Sequence, residues 1–234
     1  MIQDFREDLK EMCGMISGNL PFAFLRFADG EVAVMKGDAI IGIDNWTTPD
    51  YVTKLGKRLL NAISNKDERV YFGISCKCCD LESKRYLLKL IKNKPQNVTF
   101  SNLFVNNNHD DFIKFISELK KPCYLIANEC ANLDNFPLKV LDFVPIPNEC
   151  VNYYEENEDV INTMLKEKFS NIKDSLFLIS AGPISEAIID YLWTINPNNQ
   201  YVDVGSSIAE FIHGHPIRCF KQESSPYYNK TCKF

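Results

Sequence analysis

Asp29-Gly30-Glu31 sets two carboxylates one residue apart on a glycine hinge, directly after the apolar run Phe22-Ala23-Phe24-Leu25-Arg26-Phe27. Carboxylates are hard oxygen donors. One or two of them, completed by water and substrate phosphates, are what Mg2+ or Mn2+ takes from a protein. Gly30 lets the backbone come close to such an ion or to a phosphate. Arg26 adds a fixed positive charge three residues before Asp29, inside a run that is otherwise apolar. A charge placed there needs a partner or a ligand. The pattern predicts a site for a phosphorylated or nucleotide-activated substrate, where Mn2+ or Mg2+ held by Asp29 and Glu31 offsets charge on a diphosphate leaving group. The plainer reading is an acidic turn in which Glu31 caps a helix and Arg26 pairs with Asp29.

Two glycine turns lie near the other end of the chain. Ser180-Ala181-Gly182-Pro183 follows an apolar strand and precedes a helical stretch, so its N–H groups are placed to meet a phosphate or sugar. It lacks the several glycines of a dinucleotide fingerprint, and a plain tight turn explains it equally well. Asp203-Val204-Gly205-Ser206-Ser207 has an acid and a glycine after a strand, in the manner of a methyltransferase's first motif, but it stands late in the chain and is poor in glycine. Glu210 and His213 follow three residues apart, on one helical face, and either suits a general base toward an acceptor hydroxyl. Cys76-Lys77-Cys78-Cys79 invites a zinc reading, but Cys123, Cys130 and Cys150 do not supply a second spaced pair. These thiols are therefore read as reduced and partly buried.

Strands and helices must bring these pieces together. Apolar spacing over residues 3–17 predicts a helix, and Phe22 to Phe27 a strand buried on both faces. A short helix is expected from Glu31 to Lys36, a short strand at Ile40–Ile43, and an amphipathic segment opened by Pro49 and Asp50 and running through Ile63. Strands follow at 69–74 and 123–127, with a short one within 97–104, and helices at about 81–92 and 110–119. Val144-Pro145-Ile146-Pro147 is extended, with proline barring a central ladder position. A charged helix over 155–169, a strand at 175–180, a helix over 184–193 and a strand at 201–204 close a βαβ unit. The alternation predicts an α/β protein: a Rossmann-like open, mostly parallel sheet with helices on both faces, forming a single domain over residues 1–234. In such sheets ligands bind beyond the carboxyl ends of the strands, which is where all three motifs would fall.

Composition sets the limits. Of 234 residues, 45% are hydrophobic and 24% charged, so a sizeable core forms without disulfides. The net charge of −5 and the lack of a long basic stripe argue against nucleic acid as the main partner. The charged start has no apolar leader and no stretch is long enough for a membrane span, so a cytoplasmic protein with its nine cysteines reduced is expected. The glycosylation-type triplets at Asn45, Asn97 and Asn229 are then read as chance.

Arg26-Phe27-Ala28-Asp29-Gly30-Glu31 resembles the Arg-Phe-Gly-Asp-Gly-Glu signature of GT-D-type glycosyltransferases, whose Asp-x-Glu motif falls here on Asp29 and Glu31. The Ser180–Pro183 turn resembles that family's Gly-Pro turn. Tyr201-Val202-Asp203-Val204-Gly205-Ser206 with Glu210-Phe211 is similar to its closing Asp-Ile-Gly segment and downstream Glu-Tyr. Ala28 stands where the family commonly has glycine, and Ser206 where some members have histidine. The resemblance implies transfer of a sugar, of the hexosyl type, from a nucleoside-diphosphate donor such as a UDP-sugar to a hydroxyl of a glycan or glycoconjugate. It assigns the metal or the donor's diphosphate and ribose to Asp29 and Glu31, and donor contacts to Arg26, Gly30, Ser180, Gly182, Asp203, Gly205 and Ser206. Glu210 becomes the acceptor-side base. Two other functions fit the acidic pair: a metal-dependent phosphohydrolase with further ligands from Asp80, Asp142 and Asp203, or a non-catalytic nucleotide- or sugar-binding module.

Overall fold

The computed structural model describes residues 1–38, 54–213 and 218–234, except for the side chain of His213. The expected strand at 40–43, Asn45 and the opening of the amphipathic segment at Pro49 and Asp50 lie outside the described residues, while the rest of that segment forms a helix over Lys54–Ala62.

Helix α1 (Phe5–Ser17) begins where the Asp4 carboxylate accepts hydrogen bonds from the N–H groups of Arg6 and Glu7, and it buries Phe5, Leu9, Met12 and Ile16 on one face. Strand β1 (Phe22–Phe27) follows, apolar on both sides as a strand covered by helices on two faces must be. Helix α2 (Asp29–Lys36) ends at Gly37, whose φ of 75° is the left-handed conformation that glycine adopts without strain. It starts two residues earlier than expected, because the Glu31 carboxylate reaches back to the Ala28 N–H at 2.7 Å and closes the first turn.

Next come α3 (Lys54–Ala62), β2 (Val70–Ile74), α4 (Leu81–Leu90), β3 (Val98–Phe100) and α5 (His109–Glu118). The second half holds β4 (Cys123–Asn128), β5 (Val140–Ile146), α6 (Cys150–Phe169), β6 (Leu176–Ser180), α7 (Ser185–Ile195), β7 (Gln200–Asp203) and the single-turn α8 (Ala209–His213).

The seven strands form one sheet in the order β3-β2-β1-β7-β6-β4-β5, and every pairing is parallel. Pro145 lies on the outermost strand, β5, where its missing N–H costs no interior ladder bond. Side chains of α2, α3, α6 and α7 pack with one face of the sheet, and those of α1, α5 and α8 with the other. This is the two-faced arrangement that strand–helix alternation predicts. Asn97 is buried, its amide donating to the carbonyls of Glu68 and Val70, which closes it to a glycan. Among the described residues no helix is long and apolar enough to cross a membrane.

Strand order decides what meets what. β1, β7 and β6 are consecutive neighbours, so the segments leaving their carboxyl ends come together although nearly the whole chain separates the first from the others.

Candidate functional site

A cleft opens beyond these three strand ends. Its wall carries Arg26, Asp29, Gly30 and Glu31 after β1, Ser180, Gly182 and Pro183 after β6, and Asp203, Gly205 and Ser206 after β7. Asn128, Pro147 and Asn148 face it from the ends of β4 and β5, with the Asn128 amide donating to Asn148 Oδ1 at 2.7 Å. Nine of the ten sequence-derived site residues, Asp29 among them, thus share one cavity, and Asp29 is exposed at its wall.

Glu210 does not join them. It lines a small adjoining cavity with His109, Phe220 and Lys221, which shares Ser206, Ala209 and Arg218 with the cleft. On α8 it is Ala209 and Ile212, three apart, that face the cleft. The residue after Ala209 is turned roughly 100° around the helix axis. His213 contributes no described side chain.

Arg26 organises the floor. The plainer reading paired it with Asp29; its partner is Asp203, with Nε 3.2 Å from Oδ2 in an ion pair that lacks hydrogen-bond alignment. The register Phe24↔Val202 between β1 and β7 draws Arg26 to the β7 end, and its Nη1 donates to the Val204 carbonyl at 3.2 Å. Asp203 Oδ1 accepts from the Gly205 N–H at 2.8 Å, while the Ser180 hydroxyl donates to the Gly205 carbonyl at 2.9 Å. The two glycine turns are therefore fastened to each other and to Arg26. Gly205, at φ 45°, has no room for a side chain: a Cβ would stand 2.7 Å from Arg26 Cζ. Gly182, at φ 60°, likewise takes the left-handed conformation.

Glu186, in the first turn of α7, is a member of the site that sequence reasoning missed. The β1–β7 ladder ends at Phe24↔Val202, and the Glu186 carboxylate takes the Arg26 N–H at 3.2 Å. Its other oxygen is buried with no well-aligned hydrogen-bond partner among the described residues. A fully buried glutamate in a first helical turn otherwise reads as an ordinary dipole-favoured acid. The signal available in the sequence was only that the rest of Ser185–Ile195 is largely apolar.

The electrostatics are lopsided. Three buried carboxyl groups, Glu31, Glu186 and Asp203, meet the Arg26 guanidinium, and Arg218 lines the same cleft. Burial, then the charges of Asp203 and Glu31, hold the Glu186 carboxyl well above the usual range. Burial also raises Asp203, against the pull of Arg26. Glu31 is only half-buried as a residue, but its carboxyl end is packed deep, and burial followed by the Asp203 and Asp29 charges pushes it up to about 7 despite the Ala28 N–H. Such an excess of negative charge suits a cation. Glu31 spends one oxygen on Ala28, and a carboxylate has further acceptor sites. The residues present therefore fit Mg2+ or Mn2+ on Asp29 and Glu31, with the remaining ligands from water and substrate.

Among the described residues no three carboxylates here converge tightly enough to cage an ion by themselves. Asp80 caps α4 by accepting from the Ser83 N–H, and Asp142 sits within edge strand β5, paired with Lys168 at 2.7 Å. Neither supplies the extra ligand that a phosphohydrolase was expected to draw from them.

No family model matches the chain, and no curated protein matches it. Among solved structures, the chain is similar to domain of unknown function 1792, described as having a distinct glycosyltransferase fold, at 16% identity and a TM-score of 0.55 over 90% of this chain and 80% of that one. It is also similar to a protein described as a new glycosyltransferase of the same domain from Streptococcus sanguinis, at 16% identity and a TM-score of 0.57 over 98% and 92%. At this identity the likeness establishes the fold: one open parallel α/β sheet of the glycosyltransferase kind.

Proposed function

We propose that the protein is a glycosyltransferase that moves a hexosyl group from a nucleoside-diphosphate sugar, of the UDP-sugar type, to a hydroxyl of a glycan or glycoconjugate. One observation carries the reading: the acidic pair after β1 and the glycine turns after β6 and β7 line a single cleft at the carboxyl ends of three adjacent strands. The glycosyltransferase fold of its structural neighbours supports it.

Asp29 and Glu31 are the residues to hold Mn2+ or Mg2+, which when bound supplies charge neutralisation for a departing diphosphate. Gly182 and Gly205 keep Cβ atoms off the floor, so donor phosphates can approach the main chain. Arg26 acts as a fixed positive field rather than a mobile finger, because Asp203 and the Val204 carbonyl hold it. Ser180 and Ser206 stand on the wall as hydroxyl contacts for donor oxygens. Glu210 is left out of this set, since it lines the adjoining cavity and not the cleft.

A thermal-shift panel of nucleoside-diphosphate sugars, with and without Mn2+, tests the proposal. A donor that raises the melting temperature only when metal is present supports it, by the mass-action link between binding and stability. Acceptor-dependent release of the nucleoside diphosphate then establishes transfer. Release of phosphate from simple monoesters, with no response to any sugar nucleotide, would overturn it.

A further inference from the structure

Four of the nine cysteines converge away from the cleft. Cys76, Cys78 and Cys79 leave the carboxyl end of β2, and Cys232 comes from the tail, so that all four sulfurs lie within 4.8 Å of one another. The other five, Cys13, Cys123, Cys130, Cys150 and Cys219, take no part. We propose that these four thiolates bind one zinc ion, a structural site that clips the chain's tail to the β2–α4 turn.

Zinc in a closed structural site takes four Cys or His ligands in a tetrahedron at about 2.3 Å, so neighbouring sulfurs should stand about 3.8 Å apart. Cys79 and Cys232 are 4.0 Å apart, near that tetrahedral edge, Cys76 and Cys78 are closer at 3.2 Å, and no two of the four sulfurs are more than 4.8 Å apart. Disulfide bonding would need contact at roughly 2.05 Å and would split the cluster into pairs. Pairing each sulfur with its near neighbour would join Cys76 to Cys78 across a single residue, while the observed arrangement is a compact group of four.

The surroundings are those of thiolates. The Asn102 amide donates to Cys232 Sγ at 2.9 Å and lies 3.7 Å from Cys79 Sγ; the Asn106 amide reaches Cys232 Sγ at 3.4 Å, and the Lys233 N–H reaches Cys78 Sγ at 3.4 Å. N–H donors around ligating sulfur are the outer shell that orients metal ligands and offsets their charge. Lys230 closes the rim, its ammonium donating to the Cys78 carbonyl at 2.9 Å. Soft sulfur donors select zinc over the hard ions that suit carboxylates. Each thiol gives its proton to solvent as the metal enters. Cys76 and Cys232 are buried while Cys78 is exposed, which leaves an entry path.

The site gives the tail a reason to be ordered. Among the described residues after α8 there are only short helical turns, yet Phe234 packs edge-on against Phe100 with ring centroids 5.3 Å apart, and the Lys230 carbonyl accepts from the Asn107 N–H. A single metal would lock this segment in place.

The test is elemental analysis of the full chain, purified under reducing conditions without chelator from zinc-supplemented cells. About one zinc per chain is expected in the parent and in Asp29→Asn/Glu31→Gln, falling at least tenfold in Cys78→Ser/Cys232→Ser. Because the double variant can lose its fold, the single change at exposed Cys78 is followed in parallel by cobalt titration. The parent should show intense thiolate-to-cobalt charge transfer with tetrahedral visible bands, and Cys78→Ser should weaken both while circular dichroism is unchanged. The proposal is overturned by a parent that takes up no zinc even on reconstitution, by zinc retained in the double variant, or by stoichiometric iron instead. Cystine in anaerobically purified protein would overturn it too.

Discussion

Two pockets sit at the carboxyl ends of neighbouring strands and are built from opposite chemistries. The cleft beyond β1, β7 and β6 is lined by carboxylates, glycines and two arginines, Arg26 and Arg218. The pocket beyond β2 is lined by sulfur and by amide N–H groups. Hard oxygen ligands leave a cation partly hydrated and able to share its sphere with a substrate. Four thiolates leave no free position. The difference teaches how one rim can be divided: the open pocket is left for ligands from outside, and the closed one is occupied by the chain's own tail. Only the first can turn over a substrate.

If this division holds, changes in the two pockets separate cleanly. The largest effect on chemistry is expected from Asp29→Asn with Glu31→Gln, which should lower sugar transfer by about 100-fold or more, the scale of losing a transition-state charge stabiliser. Zinc content and melting temperature should stay near the parent's; a transfer rate unaffected by both changes would make the acidic pair structural. Cys232→Ser should do the reverse, costing zinc and roughly 5 °C or more in melting temperature, while kcat/KM falls far less than in the acidic-pair variant. A collapse of transfer in Cys232→Ser with its melting curve intact would show that the pockets are not independent.

Gly205→Ala comes next. A methyl group at φ 45°, against Arg26 and with left-handed backbone, should cost about 1–3 kcal/mol in denaturant unfolding and weaken donor binding through the displaced guanidinium. An unchanged midpoint would mean that the Arg26–Asp203 pair can shift freely.

The smallest expected effect is a gain. Glu186 has a folded-state pKa raised above its unfolded value, mainly by burial, so between the two the native state holds a proton that the unfolded chain releases. Stability from this group is therefore full below the unfolded pKa near 4.5 and declines as pH rises through the folded value. Glu186→Gln keeps an acceptor for the Arg26 N–H and removes that decline. Urea unfolding should show the variant matching the parent near pH 4 and exceeding it by on the order of 1 kcal/mol at pH 8. A constant difference across that range would rule out the titration.

Most of the framework was readable from residue patterns. The doubly apolar Phe22–Phe27 and Leu176–Ser180 are central strands, and the proline-bearing β5 is an edge strand, as their composition requires. The gathering of Asp29, Gly182 and Gly205 followed from parallel strands alone. What escaped was everything set by register and by distant sequence. Arg26 turned from Asp29 to Asp203 because β7, not the local turn, is its neighbour. Glu186 was hidden as an unremarkable helix acid until its carboxylate met the unpaired Arg26 N–H. Glu210 was expected beside the acceptor, yet the α8 residues that line the cleft are Ala209 and Ile212. Cys232 was overlooked because its partners lie more than 150 residues away, as the Cys79–Cys232 separation of 153 shows. Spacing rules detect ligand pairs along the chain, not across it.

The steric conflict at position 205 also bears on descent. Glycine at 205 leaves the place that the Arg26 guanidinium takes beside Asp203, so a lineage that keeps the arginine gains by keeping the glycine and the acid with it. These three positions should thus be inherited or exchanged as a set, a covariation that would identify remote kin where overall identity has faded.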